Sequence, residues 1–151
     1  ITNQPLYNLY RREIEVAVVP AAMRERMGQL VYSPLAQGVL TGKYKPGEAP
    51  PPGSRATEES SKKFVNNFMS EDHLQKAQKL VALAEKHELD ATRVALAFCL
   101  RNPGVSSVLI GARSPTQLEH NLSALDVTLT DECVAELEAV FPVSDPSKQF
   151  S

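Results

Sequence analysis

The sequence has no strong excess of charge of either sign, no long apolar run and few cysteines. Its 16 lysine and arginine residues are balanced by 18 aspartate and glutamate residues, which gives a net charge of −2. A general nucleic-acid surface needs clustered excess positive charge, so we do not expect nucleic acid as a partner. No apolar run approaches the roughly 18–20 residues that a membrane-spanning helix needs, so we predict no membrane span.

The motifs of several enzyme classes are also missing. The sequence contains neither the glycine fingerprint G-x-G-x-x-G of dinucleotide-binding folds nor the G-x-S-x-G elbow of hydrolases. Its histidines and cysteines do not have the spacing of metal ligands, so we predict no metal site. No tyrosine or histidine stands in a pattern typical of a tuned general acid, such as a tyrosine held beside a lysine and an aspartate.

The two cysteines and the first residues bear on the compartment. Cys99 and Cys133 lie in helical patterns at apolar positions, which predicts buried, reduced thiols, although the sequence leaves a disulfide open. The residues from Ile1 onward have neither a charged start nor the apolar segment of a secretory leader. Together these features predict a cytoplasmic protein.

The remaining pattern is that of an α/β fold. Three short apolar strands are predicted over 4–9, 30–32 and 108–110. Helices are predicted over 13–27 with an interruption at Pro20, and over 57–67, 71–87, 91–101, 115–125 and 131–141. Strands separated by helices favour parallel pairing with right-handed crossovers. We expect one domain over 1–151, with a loose tail over 142–151.

One stretch, residues 107–122, combines a strand end with a helix start. The predicted strand is followed by the small residues Gly111 and Ala112. Ser114 then favours a helix N-cap, and Gln117 completes the spacing of a capping box. Because a helix N-terminus attracts anions and Arg113 can grip a phosphate, the stretch predicts a phosphate site. The alternative is an ordinary strand-to-helix turn with a solvated arginine.

A second group of candidate residues surrounds the predicted strand over 30–32. Ser33 and the turn after it could bind phosphate oxygens, and Tyr32 could stack on a flat ring. The loop over 45–57 contains four prolines and two glycines and is flanked by Lys43 and by Arg55 near its end. A long irregular loop is usually functional or mobile, whereas the alternative for both cations is plain solvation.

Four segments of the chain resemble the aldo/keto reductase family, in the family's order. They are Gly-Ala-Arg-Ser-x-x-Gln-Leu-x-x-Asn at 111–121, Tyr-Ser-Pro-Leu-Ala-Gln-Gly-Val-Leu-Thr-Gly-Lys-Tyr at 32–44, Gln-Pro-Leu-Tyr-Asn-Leu-Tyr-Arg-Arg at 4–12, and Leu-Ala-Phe-Cys-Leu-Arg-Asn at 96–102. The branch that they resemble contains bacterial aldo/keto reductases and β subunits of voltage-gated potassium channels. Membership implies a (β/α)8 barrel that uses NADP(H) to reduce aldehydes and ketones.

The resemblance also implies which residues would hold the cofactor. They are Gln4, Tyr32, Ser33, Leu35, Lys43, Arg55, Gly111, Arg113, Gln117 and Asn121, with Gln4 under the nicotinamide amide and the segment over 45–57 as a lid. His120 departs from the family pattern, which has a glutamate near the adenine at that position. The family's catalytic Asp, Tyr, Lys and His lie on earlier strands, so we expect this chain to be the C-terminal half of a reductase, without catalytic residues and inactive alone.

The resemblance leads us to expect one of two functions, and the three predicted strands lead us to expect one of two kinds of partner. The first function is the cofactor-binding side of a reductase acting on a small carbonyl compound. The second is an NADP(H)-binding or sensing module, similar to a channel β subunit, without fast catalysis. Because three parallel strands do not close a barrel, we expect the chain to pair with an N-terminal half or with itself.

Overall fold

The computed structural model describes residues 1–143, so the predicted tail lies outside the described residues from position 144 on. Three strands form a parallel sheet in the order β1-β2-β3. They are β1 at Thr2–Asn3, β2 at Gly28–Val31 and β3 at Val105–Val108. β1 pairs with β2 in the register Thr2↔Gly28, and β3 follows with Val31↔Val108. The predicted α/β class with parallel pairing is confirmed.

Within residues 1–143, six α-helices pack around this sheet. They are α1 at Val18–Arg24, α2 at Glu59–Asn66, α3 at Glu71–Lys86, α4 at Ala91–Leu100, α5 at Pro115–Leu122 and α6 at Asp131–Val140. Short 3-10 segments lie at Glu13–Glu15, Ala36–Thr41 and Ser123–Asp126. The predicted helix over 13–27 is therefore a 3-10 turn followed by α1, with Pro20 in the first turn of α1, where a missing N–H costs least.

The helices predicted over 71–87, 91–101 and 131–141 begin at the expected residues, and each start has a local side-chain cap. Ser70 accepts a hydrogen bond from the backbone N–H of His73 at 3.3 Å. Asp90 at the start of α4 and Thr130 at the start of α6 accept equivalent bonds at 3.0 and 3.2 Å. Each cap satisfies an amide that the first helical turn cannot pair internally.

The predicted strand over 4–9 is wrong. After β1 the only strand-like contact of this segment with β2 within residues 1–143 is a parallel bridge between Leu6 and Tyr32. Pro5 has no N–H to donate to a ladder. Asn8 then ends the extended path, because its side-chain oxygen accepts hydrogen bonds from the backbone N–H groups of Tyr10 and Arg11 at 2.9 and 3.1 Å. The other two strands begin two or three residues earlier than predicted.

The apolar spacing of α5 favours a buried face formed by Leu118, Leu122 and Leu125, but the structure does not bury these residues. Leu118, Leu122 and Leu125 are 43%, 48% and 67% exposed, whereas Asn121 and Ala124 are buried. α5 and the 3-10 segment after it contact α4, and the small Ala124 side chain permits a close approach. The leucine stripe faces away from α4. An apolar period identifies such a stripe but does not say which side of the helix meets a neighbour.

The core lies between the sheet and the helices and includes both cysteines. Cys99 and Cys133 are buried and unpaired, as the apolar helical positions predicted. Burial raises the pKa of the Cys99 thiol far above its usual range. The protonated thiol behaves as a small apolar side chain that contributes to packing.

Gly42 fixes the end of the turn that follows β2. Its φ of 78° is left-handed, and an added Cβ would lie 2.2 Å from the Cγ2 atom of Val81 on α3. The side-chain amide of Gln78 donates to the Gly42 carbonyl at 3.0 Å. The turn is therefore held against α3 at a point that admits no side chain.

We expect Gly42→Ala to lower the free energy of unfolding by about 2–4 kcal/mol, because it combines backbone strain with a clash against Val81. Gly47→Ala is the matched control, since Gly47 has a φ of 74° but an added Cβ meets nothing within 4 Å. That variant should lose about 1 kcal/mol from strain alone. Urea denaturation of both variants measures the difference, and equal losses would show that the contact with Val81 is irrelevant.

Candidate functional site

A cavity of about 210 Å³ lies where the chain leaves the carboxyl ends of β2 and β3. Three segments build it: the turn after β2, the loop around Ser54, and the connection from β3 to α5. The lining residues are Ser33, Pro34, Leu35, Gln37, Gly38, Thr41, Lys43, Gly53, Ser54, Arg55, Ile110, Gly111, Arg113 and Gln117. Because the carboxyl ends of parallel strands meet at one edge, loops far apart in the sequence converge there.

The structure brings together seven of the ten residues predicted to form a cofactor site. These are Ser33, Leu35, Lys43, Arg55, Gly111, Arg113 and Gln117. The other three, Gln4, Tyr32 and Asn121, are outside the lining.

The three predicted residues outside the lining lie in different surroundings. Gln4 is exposed beyond β1, and Tyr32 is 44% exposed next to the cavity residue Ser33. Asn121 is 4% exposed on α5, and its amide nitrogen has no hydrogen-bond partner. A buried unpaired amide is costly, so Asn121 is the one of the three with an unsatisfied polar atom.

Seven lining residues were not among the predicted site residues, namely Pro34, Gln37, Gly38, Thr41, Gly53, Ser54 and Ile110. Gln37 and Thr41 belong to the 3-10 segment after β2. Ser54 follows the prolines of the long loop, where no periodic pattern indicates which side chains turn inward. The signal available for Gln37 was its place in the turn that follows Ser33, a predicted site residue.

The turn after β2 has an unusual backbone. Ser33, Ala36 and Gln37 have positive φ values of 54°, 47° and 59°, and Gly38 follows at 93°. Non-glycine residues rarely adopt this conformation, and such residues cluster at binding sites. The hydroxyl of Thr41 donates to the Gly38 carbonyl at 2.8 Å and helps to close the turn.

A chain of hydrogen bonds holds Arg55 at the cavity. The side-chain amide of Gln37 donates to the Ser33 hydroxyl at 2.7 Å. The Gln37 carbonyl oxygen accepts from a terminal nitrogen of Arg55 at 2.5 Å. A Cβ added at Gly111 would lie 3.6 Å from the other terminal nitrogen. The Arg55 guanidinium is thus positioned between the turn after β2 and the β3–α5 connection.

Arg113 connects the β3–α5 connection to the loop on the opposite side of the cavity. One terminal nitrogen donates to the Gly53 carbonyl at 3.0 Å, and the other donates to the Glu58 carboxylate at 2.8 Å. Its backbone N–H donates to the side-chain oxygen of Gln117 at 2.8 Å. The predicted capping box is therefore modified: Ser114 caps α5 by accepting from the Gln117 N–H, but Gln117 pairs with the N–H of Arg113 instead of that of Ser114.

The cavity is suited to an anion. Lys43, Arg55 and Arg113 line it, and its lining contains no carboxylate. The Ser54 side chain is 6% exposed, and its hydroxyl oxygen is buried without a hydrogen-bond partner. A phosphate oxygen would satisfy such a hydroxyl and would form charge-assisted bonds with the cations.

The buried tyrosines do not direct their hydroxyl groups into this cavity. Tyr7 donates its hydroxyl to Glu15 at 2.7 Å, and Tyr10 donates to the backbone carbonyl of His73 at 2.6 Å. Burial raises the pKa of both phenols far above the usual range. Tyr44 is 1% exposed and also lies outside the lining. None of these three side chains presents a proton to the cavity.

His120 makes a contact away from the cavity. Its Nε2 lies 3.1 Å from a carboxylate oxygen of Asp90, the residue that caps α4. Burial acts to raise the pKa of Asp90, but hydrogen bonds from Arg93 and His120 outweigh it and hold that pKa below its usual value. His120 therefore links α5 to the start of α4.

Two further kinds of site are absent from the described part of the chain. Within residues 1–143, no group of three histidine, cysteine, aspartate or glutamate side chains is placed to hold a metal ion. No helix among these residues has the length and apolar character needed to cross a membrane.

The α/β architecture, with a cation-lined cavity at the carboxyl ends of its strands, is typical of proteins that bind an anionic ligand at that edge. Comparison with known proteins identifies the family. The sequence matches the aldo/keto reductase family over residues 1–141. A probable voltage-gated potassium channel subunit beta of Oryza sativa subsp. japonica is 40% identical over 143 residues, covering 93% of this chain and 43% of the relative. Protein Tas of Escherichia coli strain K12 is 37% identical over 143 residues, covering 95% of this chain and 40% of the relative.

A third relative gives the same result. The probable voltage-gated potassium channel subunit beta of Arabidopsis thaliana is 38% identical over 128 residues, covering 84% of this chain and 39% of the relative. The chain therefore belongs to the aldo/keto reductase family, which confirms the resemblance seen in its four motifs. It spans about two fifths of the length of these relatives.

The unpaired hydroxyl of Ser54 gives a prediction for the site. We expect Ser54→Ala to leave the free energy of unfolding unchanged or to raise it by about 1 kcal/mol, because the lost hydroxyl has no partner. Added inorganic pyrophosphate should stabilise the parent chain more than the variant. Thermal unfolding with and without pyrophosphate measures both effects. Ser60→Ala, at an exposed position outside the cavity lining, should respond to pyrophosphate like the parent, and an equal response of Ser54→Ala would contradict the prediction.

Proposed function

We propose that this chain supplies the cofactor-binding side of an NADP-dependent aldo/keto reductase. The observation that carries the proposal is the cavity at the ends of β2 and β3, which gathers three cations and the unpaired Ser54 hydroxyl. NADP(H) carries a pyrophosphate and a 2′-phosphate, so its charge fits this set of donors. Membership of the aldo/keto reductase family supports the same cofactor.

Different lining residues would bind different parts of the cofactor. Lys43, Arg55 and Ser54 would bind the pyrophosphate, and Arg113 would bind the 2′-phosphate. Gly111 has no side chain and so leaves room beside Arg55 for a phosphate group. Gln117 and Asn121, which lie one turn apart on α5, would contact the adenine end.

The remaining predicted residues would serve the nicotinamide end. Tyr32 follows β2 directly and is partly exposed, so its ring would stack on the nicotinamide. Gln4, just after β1, would bond the carboxamide. When bound, the cofactor would supply a hydride for reduction of a carbonyl carbon, and the protein would orient it and exclude water.

We propose that the proton for this reduction comes from outside the described residues. Tyr7 and Tyr10 are committed to internal hydrogen bonds, and burial raises the pKa of each. A useful general acid has a pKa close to the working pH and lies within reach of the substrate. We therefore assign no catalytic residue to this chain and expect it to be inactive alone.

A second candidate function is an NADP(H)-binding or sensing module without fast catalysis. Similarity to two relatives, each named as a probable voltage-gated potassium channel subunit beta, favours this second function. Steady-state carbonyl reduction by the full-length protein would separate the two functions. A reductase turns over a small aldehyde or ketone continuously, whereas a sensing module holds the nucleotide with little turnover.

We also propose that the sheet is completed by further strands, either from the rest of a (β/α)8 barrel or from a second copy. In residues 1–143, β1 and β3 each pair with β2 alone, which leaves two sheet edges. The exposed stripe of Leu118, Leu122 and Leu125 lies on the segment that follows β3. Unpaired edges and exposed apolar stripes are the features that proteins normally cover.

If a second copy completes the sheet, the isolated chain should self-associate. We expect light scattering at micromolar concentration to report a dimer or a larger species. In such a species, the sheet edges and the apolar stripe of one copy would be covered by another copy. A homogeneous, folded monomer at these concentrations would contradict the proposed self-association.

The proposed cofactor site is tested by titrating the chain with NADPH and, separately, NADH in a calorimeter. We expect NADPH to bind more tightly, and Arg113→Ala to weaken NADPH binding several-fold or more while NADH changes little, since only NADPH carries the 2′-phosphate. Arg24→Ala is the control, because it removes the same charge at an exposed position outside the cavity. Equal losses for both cofactors would show that the assignment of Arg113 is wrong.

A further inference from the structure

Both terminal nitrogens of Arg113 have acceptors within the chain. Its two terminal nitrogens, the pair that would grip a phosphate, donate to the Gly53 carbonyl and to the Glu58 carboxylate at 3.0 and 2.8 Å. A guanidinium that binds a phosphate bidentately uses the same kind of paired N–H groups. A ligand phosphate that approaches these same N–H groups therefore competes with these two partners.

We propose that Glu58 is a specificity-determining residue that competes with the ligand's 2′-phosphate for Arg113. The inference deepens the proposed function and rests on it. Glu58 is an anion within the chain, and its carboxylate holds the position on Arg113 that a phosphate oxygen would take when NADPH binds. Its effect on affinity depends on the 2′-phosphate and is therefore selective between NADPH and NADH.

The local structure of Glu58 supports this role. Glu58 occupies the N-cap position of α2, yet its side chain makes no cap hydrogen bond. Its backbone carbonyl accepts the first bonds of the helix, from the N–H groups of Ser61 and Lys62 at 3.1 and 2.8 Å. Glu58 is thus fixed in place by its backbone, while its carboxylate is directed to Arg113.

The exposure of the pair makes the exchange feasible. The side chains of Arg113 and Glu58 are 52% and 41% exposed. Exposed ion pairs are weak because water and salt screen them. A phosphate dianion carries more charge than one carboxylate and offers more acceptor oxygens, so it displaces Glu58 at a moderate cost in affinity.

Displacing Glu58 lowers the binding affinity for one cofactor only, NADPH. NADH has no 2′-phosphate and does not need Arg113, so its binding leaves the Glu58–Arg113 pair intact. Removing the carboxylate of Glu58 therefore helps NADPH and leaves NADH nearly unchanged. The pair moderates a preference for NADPH that Arg113 alone would make larger.

The test compares Glu58→Gln with the parent chain by calorimetric titration of NADPH and NADH. We expect Glu58→Gln to bind NADPH about two- to fivefold more tightly, the upper part of the range that loss of a weak surface pair allows, with less than a twofold change for NADH. Glu58→Asp keeps the charge and should bind NADPH like the parent or between the two. Glu59→Gln removes the same charge one residue further along α2 and should have no effect.

A double-variant cycle shows whether Glu58 acts through Arg113. In the Arg113→Ala background, Glu58→Gln should no longer tighten NADPH binding, because no guanidinium remains to be released. Circular dichroism melting of every variant checks that the fold is retained.

The possible failures are distinct. Unchanged or weaker NADPH binding by a folded Glu58→Gln variant, with normal binding by the parent, would overturn the competition and leave the proposed cofactor site standing. An equal gain for NADPH and NADH would show a general loosening of the loop and would also overturn it. If neither the parent nor Glu58→Gln binds NADPH, the proposed function itself fails and the inference fails with it.

Discussion

The arrangement of the described chain depends on one buried charge, the guanidinium of Arg12. It is 4% exposed and donates to both carboxylate oxygens of Glu15 at 2.9 and 2.8 Å. It also donates to the backbone carbonyl of Phe141 at 2.7 Å and to Glu138 at 3.1 Å. A buried charge is tolerated only with such complete pairing. The segment after β1 and the end of α6 must therefore come together at this point.

The same charge also fixes α4. The guanidinium carbon of Arg12 lies 5.0 Å from the centre of the Phe98 ring, and that of Arg101 lies 4.7 Å from it. Arg101 in turn donates to Glu138 at 2.9 Å. Because α4 leads directly into β3 and contacts it, the cluster around Arg12 constrains where β3 lies. The cavity forms where β2 and β3 end, so its geometry depends on this ion network.

The parts of the fold that depend on neighbouring residues could be predicted from the sequence. The caps at Ser70, Asp90 and Thr130 are local hydrogen bonds, and the helices that they start begin at the predicted residues. The strand over 4–9 could not be predicted correctly, because the apolar residues Leu6 and Leu9 conceal the effects of Pro5 and Asn8. An apolar pattern reports which side chains are buried, and a buried segment need not be paired as a strand.

The candidate site was predictable to the extent that its residues follow the strands. Ser33 and Gly111 each come shortly after a strand, so the topology alone brings them to one edge of the sheet. Ser54 could not be found in this way, since it lies in a loop without periodicity. The orientation of the α5 leucines also escaped prediction, because it depends on where α4 lies.

The partner of Arg113 was beyond sequence reasoning for a related reason. Glu58 is 55 residues earlier in the chain, and a glutamate at the start of a helix is ordinarily explained by the helix dipole. The structure shows that one loop, from Gly53 to Glu58, brings both kinds of group to the cavity. Arg55 and Ser54 contribute donors for an anion, whereas Glu58 neutralises Arg113 on the opposite side. A site with three cations and no counter-charge would bind any phosphate compound, because its attraction would be purely electrostatic. With one cation paired, a ligand gains from Arg113 only when its phosphate replaces the carboxylate, so the pair reduces the attraction of the cavity for phosphate and keeps the preference for NADPH moderate.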